Sequence, residues 1–303
     1  MTQIKANGIT IEYESFGPED RETVLLIMGV GAQLTMWPEA LCEELVRRGY
    51  RAIRFDNRDV GLSSKLEELG APDIGTLMMS LMSGKPALAP YSLDDMAKDA
   101  VGLLSALGID KAHIAGASMG GMIAQLVAAN HPDRVLSLTS IMSTTGNPAL
   151  PQGKPEALAA LMAPPADPSN LESVVERGVS AWKVIGSPGY PTDETILRER
   201  ILRDFRRSFY PVGMTRQMAA ILTNGDRRPK LKTIKVPTVV LHGADDPLVP
   251  VAGGKDTAEN IPGAELRIVP GMGHDFAVAL VGTFADAITA ATQRATGAKK
   301  AAE

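Results

Sequence analysis

Residues Gly116-Ala117-Ser118-Met119-Gly120 set a serine between two glycines in a G-x-S-x-G pattern. A serine so placed suits nucleophilic attack on a carbonyl, because the pattern builds a sharp strand-to-helix turn that lifts the hydroxyl clear. The setting is right for that turn: the short apolar stretch 112–115 precedes it and a helical pattern over 119–130 follows. Side chains at 116 and 120 would collide with the neighbouring strand and helix, and Gly121 extends the close approach. The start of the helix also favours developing negative charge. The non-catalytic alternative is a serine that only caps a helix after a glycine-rich turn.

A serine at its ordinary pKa needs a base, and the chain has four histidines. His113 falls in the strand before the serine and reads as packed in the sheet. His131 ends the following helix beside Pro132, where an imidazole caps carbonyls. His242 ends a strand and reads as a support for the next loop. His274 lies in Pro270-Gly271-Met272-Gly273-His274-Asp275-Phe276, a glycine-rich loop after the last strand, and is the expected base. An acid must then orient the ring. Asp245 and Asp246 compete for this role; the spacing from Gly243 to Pro250 favours Asp246, with Asp245 bracing the turn. An oxyanion formed on Ser118 also needs donors. These are expected from the backbone N–H of Met119, next to the nucleophile, and of Val30 in the loop Met28-Gly29-Val30-Gly31. A phosphate-binding loop is the alternative there, but no G-x-G-x-x-G or G-K-[ST] sequence follows.

These residues need a scaffold. Ile4 leads to the turn pair Asn7-Gly8, and Ile9, Ile11 and Tyr13 alternate beyond it, which predicts a hairpin. Thr23–Met28 is a near-continuous apolar run, as in a strand buried on both faces of a parallel sheet. Similar strands are predicted at 52–55, 112–115, 135–141, 238–241 and 265–269. Helices are predicted near 38–48, 92–107, 119–130, 251–260 and 277–293, giving an α/β alternation. From about 145 to 230 no strand is predicted. A Pro- and Ala-rich stretch, 148–168, leads into helical patterns near 171–185, 193–208 and 213–223, too long for an ordinary loop. We therefore expect core residues 1–144 and 231–295, a helical cap over 145–230 and a frayed tail over 296–303.

Three further segments have two readings each. Leu77–Met82 is a short buried helix, or the adaptable wall of an apolar pocket, since methionine fits irregular shapes. Asp56–Ser63 reads as an ion-pair and turn network rather than a substrate site. Arg203, Arg206 and Arg207 read as a solvated helix face rather than a site for an anionic substrate.

Composition narrows the class. The chain has 303 residues, with 31 Lys and Arg against 35 Asp and Glu, for a formal charge of −4. That balance, without a long basic run, argues against nucleic-acid or polybasic membrane binding. Apolar residues make up 45% and charged residues 22%, which excludes global disorder. No apolar run reaches the ~18 residues of a membrane span and the N-terminus has no signal pattern, so a cytoplasmic protein is expected. One cysteine, Cys42, excludes an intrachain disulfide and a cysteine metal cluster, and we expect no metal and no cofactor. Nothing signals an oligomeric state.

Together the motifs resemble the α/β-hydrolase superfamily, and within it the aclacinomycin methylesterase-like small bacterial esterases. The resemblance rests on the MGVG loop followed by Met36-Trp37-Pro38, FDNRDVGLS over 55–63, GASMGG over 116–121, and VPTVVLHGADDPLVP over 236–250. It covers essentially the whole chain outside the cap. Met28-Gly29 stands where many relatives carry His-Gly, which preserves the backbone role of the loop. The resemblance implies a mostly parallel eight-stranded sheet flanked by helices, with the helical cap inserted before the last two strands. It implies a serine hydrolase that cleaves a carboxylic ester through an acyl-enzyme, and the low aromatic content (2 Trp, 5 Tyr and 6 Phe) with 14 Met suggests a small, largely apolar substrate. The same triad could run perhydrolysis, lactone opening or carbon–carbon bond hydrolysis, and a slow ligand receptor is the rival from another class.

Overall fold

The structure is a computed structural model that describes residues 2–302, with side chains described through residue 297. Strands β1 (Thr2–Ala6) and β2 (Ile9–Phe16) form the expected antiparallel hairpin. Asn7 and Gly8 both take positive φ, 48° and 81°, as a two-residue hairpin turn of matching twist requires. Next come β3 (Thr23–Ile27), α1 (Glu39–Arg47), β4 (Arg51–Phe55), α2 (Ile74–Met82), α3 (Leu93–Ala106), β5 (Ala112–Ala117), α4 (Met119–Asn130) and β6 (Val135–Ile141). After a helical insert the chain closes with β7 (Thr238–Gly243), α10 (Val251–Asn260), β8 (Glu265–Val269) and α11 (Val281–Ala302). The eight strands are ordered β1-β2-β4-β3-β5-β6-β7-β8. β2 runs antiparallel to β1 and β4, and every other pairing is parallel. The expected frayed tail, 296–303, belongs to α11 as far as Ala302; Glu303 and the side chains of 298–302 lie outside the described residues.

Strand alternation divides the core between the two faces of the sheet. Leu25 and Ile27 of β3 pack with α3 and α4, while Val24 and Leu26 point to the side of α1 and α11. Burial on both sides explains why β3 and β7 read as near-continuous apolar runs rather than alternating patterns. His113 is packed in the sheet, with Nδ1 2.8 Å from Ser137 Oγ. His131 caps α4 through its backbone N–H on the Val127 carbonyl, and not through its ring as expected.

The insert comprises α5 (Pro155–Met162), α6 (Leu171–Ile185), α7 (Glu194–Arg207), α8 (Pro211–Asn224) and α9 (Arg228–Leu231). α5 lies within the Pro- and Ala-rich stretch where no helix was expected. Its proline stands at the first helical position, where the missing N–H is not needed.

The segment after β4 ties the insert to the core as an ion-pair network. Asp56 Oδ2 lies 2.6 Å from Arg207 Nη1 of α7, and Asp59 Oδ1 lies 2.8 Å from Arg216 Nη2 of α8. Arg58 turns the other way and pairs with Asp99 of α3 at 2.6 Å. Arg207 therefore departs from the expected solvated face, because its guanidinium is buried among core acids. α2 departs as well. It is a helix, but not a buried one: Met79 is 63% and Met82 86% exposed.

Candidate active site

Ser118 sits where β5 turns into α4, with φ 55° and ψ −122°. A non-glycine residue in that region is strained and persists only when its surroundings hold it. Here its N–H donates to the Ile141 carbonyl at 2.9 Å, and its own carbonyl accepts from Gly121 N–H and from Ser143 Oγ. A Cβ on Gly116 would run into the Gly120 carbonyl, and one on Gly120 into the Ile27 carbonyl. The two glycines thus let helix, turn and strand close around the serine.

His274 and Asp246 reach Ser118 from the ends of the last two strands. His274 Nε2 is 3.1 Å from Ser118 Oγ, and His274 Nδ1 is 2.7 Å from Asp246 Oδ2. The carboxylate can only accept, so Nδ1 carries the hydrogen and Nε2 presents a lone pair to the serine. The other Asp246 oxygen, Oδ1, accepts from Leu248 N–H at 2.9 Å and Val249 N–H at 2.8 Å. Asp245 is held apart, accepting from Gly271 N–H. His242 is buried beneath the acid loop and donates from Nε2 to the Val249 carbonyl at 2.8 Å. Burial holds its pKa below the usual imidazole value.

The first loop comes close to the serine: a Cβ on Gly29 would lie 3.2 Å from Ser118 Cβ. Asn57 Nδ2 donates to the Met28 carbonyl, and Gln217 Oε1 of α8 accepts from Gly31 N–H at 2.8 Å. Among the described residues, neither Val30 N–H nor Met119 N–H has a protein acceptor. Cys42 is no rival nucleophile, since burial pushes its thiol up to about 12.

A cavity of about 230 Å³ opens over Ser118. Val30, Ser118 and His274 line it from the core, and Leu161, Trp182 and Met214 line it from the insert. The insert also holds the histidine loop. The Ile185 carbonyl at the end of α6 accepts from His274 N–H at 2.7 Å. Ser187 Oγ accepts from Gly273 N–H and donates to Asp275 Oδ1, gripping both neighbours of His274. Asn57 belongs to the segment read as an ion-pair and turn network, whereas Ser187 and Gln217 were not singled out; the Gly-Ser-Pro-Gly turn at 186–189 is the hint for Ser187. Among the described residues no group of three or more His, Cys, Asp and Glu is placed to hold a metal ion, and no helix is long and apolar enough to cross a membrane.

The profile of the α/β hydrolase fold family matches residues 22–183, more than half of the chain. The protein belongs to the α/β-hydrolase family. Among its α/β-hydrolase relatives is rhodomycin D methylesterase DnrP of Streptomyces peucetius, 27% identical over 97% of this chain and 98% of the relative. 3-Oxoadipate enol-lactonase 2 of Acinetobacter baylyi is 25% identical over 88% of this chain and 87% of its own. A solved structure of the meta-cleavage product hydrolase of Pseudomonas fluorescens IP01 superposes with a TM-score of 0.76 at 20% identity, covering 97% of this chain and 98% of that one, a likeness of fold. The methylesterase relatives accord with the esterase branch that the motifs resemble.

Proposed function

We propose that this α/β hydrolase is a serine esterase acting on a carboxylic ester of a largely apolar small molecule, with Ser118 as nucleophile, His274 as base and Asp246 as the orienting acid. The observation that carries this reading is the chain of contacts from Ser118 Oγ to His274 Nε2 at 3.1 Å and from His274 Nδ1 to Asp246 Oδ2 at 2.7 Å. Ser118 Oγ attacks the ester carbonyl as Nε2 takes its proton. Asp246 stabilises the imidazolium and stays ionised. The N–H groups of Val30 and Met119, lacking other acceptors, receive the oxyanion. Collapse of the tetrahedral intermediate expels the alcohol, which His274 protonates. Water then attacks the acyl-enzyme with the same base, releasing the acid and restoring Ser118. The insert acts as a cap that narrows access to the serine.

A lactone is a cyclic ester, and the same groups would open one, as the enol-lactonase relative suggests. The test is hydrolysis of p-nitrophenyl acetate through dodecanoate, with a lactone panel alongside, by wild type and Ser118→Ala. We expect serine-dependent turnover that falls by at least ~10³-fold in the variant, with the fold intact. Full turnover in a folded Ser118→Ala protein would overturn the proposal.

A further inference from the structure

The uncharged helix α2 takes no part in the geometry around Ser118, yet it borders a second cleft of about 510 Å³. Met78 and Met82 line this cleft from α2, Leu150 from the start of the insert, and Ile221 and Leu222 from α8. Among the described residues lining it none is Lys, Arg, Asp or Glu, and its polar side chains are the neutral Thr144, Asn147 and Gln152. The cavity over Ser118 differs, since Arg177, Asp204 and Asp275 are all in its wall.

The two spaces adjoin. Leu248 lines both, and its backbone N–H is the one bonded to Asp246 Oδ1. A second link runs through the end of β6: Met142 lines the first space and Thr144 the second, and Ser143 between them bonds the Ser118 carbonyl. Leu248 thus stands between the two spaces, on the loop that carries Asp246.

Size and chemistry give this position a role. At about 230 Å³, the first cavity falls below the ~300–1,000 Å³ of sites that enclose a drug-sized ligand. It takes a small ester, and a bulkier body must extend beyond it. The second cleft offers more room, and its methionines can adapt to an irregular apolar shape. A charged group buried there would meet no partner charge, so the wall selects against one. The exposure of Met78 and Met82, 47% and 86%, leaves apolar surface that a bound apolar body would cover.

We propose that the second cleft is the subsite for an apolar, uncharged body of the ester, and that Leu248 is the specificity-determining residue that sets how far this body extends while the carbonyl sits over Ser118. The proposal rests on the serine-esterase reading above and adds a substrate class to it: neutral esters too bulky for the first cavity alone.

The test compares wild type, Leu248→Ala and Ile221→Trp on two substrate pairs. p-Nitrophenyl acetate against dodecanoate probes a body on the acid side, and phenyl acetate against 2-naphthyl acetate one on the alcohol side. Filling the cleft with Ile221→Trp should lower the bulky-to-small ratio of kcat/KM by about tenfold in one pair. Leu248→Ala should raise the same ratio, and the pair that responds identifies the side. Leu222→Trp replaces Ile221→Trp if that variant does not fold. Ratios unchanged in both pairs, while Ser118 is still labelled by a fluorophosphonate and small esters are still cleaved, would overturn the subsite alone. Neither labelling nor turnover in wild type would overturn the parent reading, and this inference with it.

Discussion

The guanidinium of Arg216 meets the carboxylate of Asp59, 157 residues away in the chain, edge to edge, with Nε and Nη2 each 2.8 Å from a carboxylate oxygen. Both side chains are buried, one in α8 of the insert and the other in the turn after β4. The pair therefore joins insert to core next to Gln217, which holds the first loop near Ser118. Burial pushes the Asp59 carboxyl up, but Arg216 and the Leu66 N–H outweigh it and hold the pKa below the usual value.

Arg216→Met should cost about 3–5 kcal/mol, because it leaves Asp59 buried without a countercharge. The double variant Asp59→Asn/Arg216→Met should cost less than the two single changes combined, since neither partner is then stranded. Urea denaturation checks both. Because the folded pKa of Asp59 is depressed, its stabilisation is complete above ~3.9 and is lost as pH falls through the folded value. Asp59→Asn should accordingly lower stability at pH 7 and flatten the acid limb below about pH 4.

The adjacent acids of the β7 loop should separate cleanly. Asp246→Asn removes the acceptor that sets the His274 tautomer and should lower kcat by about 10³–10⁴-fold. Asp245→Asn loosens only the Gly271 contact and should leave kcat within about threefold and stability within ~0.5 kcal/mol, as a surface change does. Equal losses in the two variants would contradict the assignment of the acid.

His242 gives stability a pH dependence of its own. Its folded pKa is lowered by burial, so the unfolded chain takes the proton first as pH falls. Its contribution is fully present above ~6.5 and declines below it. Gln at this position keeps a donor for the Val249 carbonyl and does not titrate. Thermal melts of His242→Gln between pH 7 and 5 should therefore show a shallower decline than wild type.

Ser187 should act on the reaction only through the loop it grips. Ser187→Ala leaves Ser118, Asp246 and the cavity in place but frees Gly273 N–H and Asp275 Oδ1. We expect kcat to fall about tenfold with KM little changed, as when a catalytic group is displaced without losing substrate contacts. Ser187→Thr, which retains the hydroxyl, should recover part of the loss.

Much of the scaffold was legible because its causes are local. The elbow at Ser118 needs small residues on both sides for steric reasons, so the glycines announce it. The inner strands β3 and β7 need apolar runs because both of their faces are covered. The chain order of serine, acid and histidine follows from the strand ends that carry them. Identifying Ser118, Asp246 and His274 as candidates rested on motif spacing, chain order and position relative to these elements.

Other features depend on contacts that no local pattern specifies. Arg207 and Arg216 sit on helices whose periodicity looks ordinary, and they are buried only because Asp56 and Asp59 await them across more than 150 residues. The methionine run looks like core by hydropathy, but α2 finds only a partial partner in α8 and leaves Met79 and Met82 in solvent. Ser187 has the composition of any turn, and becomes a brace because the histidine loop folds against it. Steric needs and hydrophobic period act within a few residues and leave a mark in sequence. Ion pairing, exposure and cavity shape arise where distant segments meet, so they emerge only once the insert has packed onto the sheet.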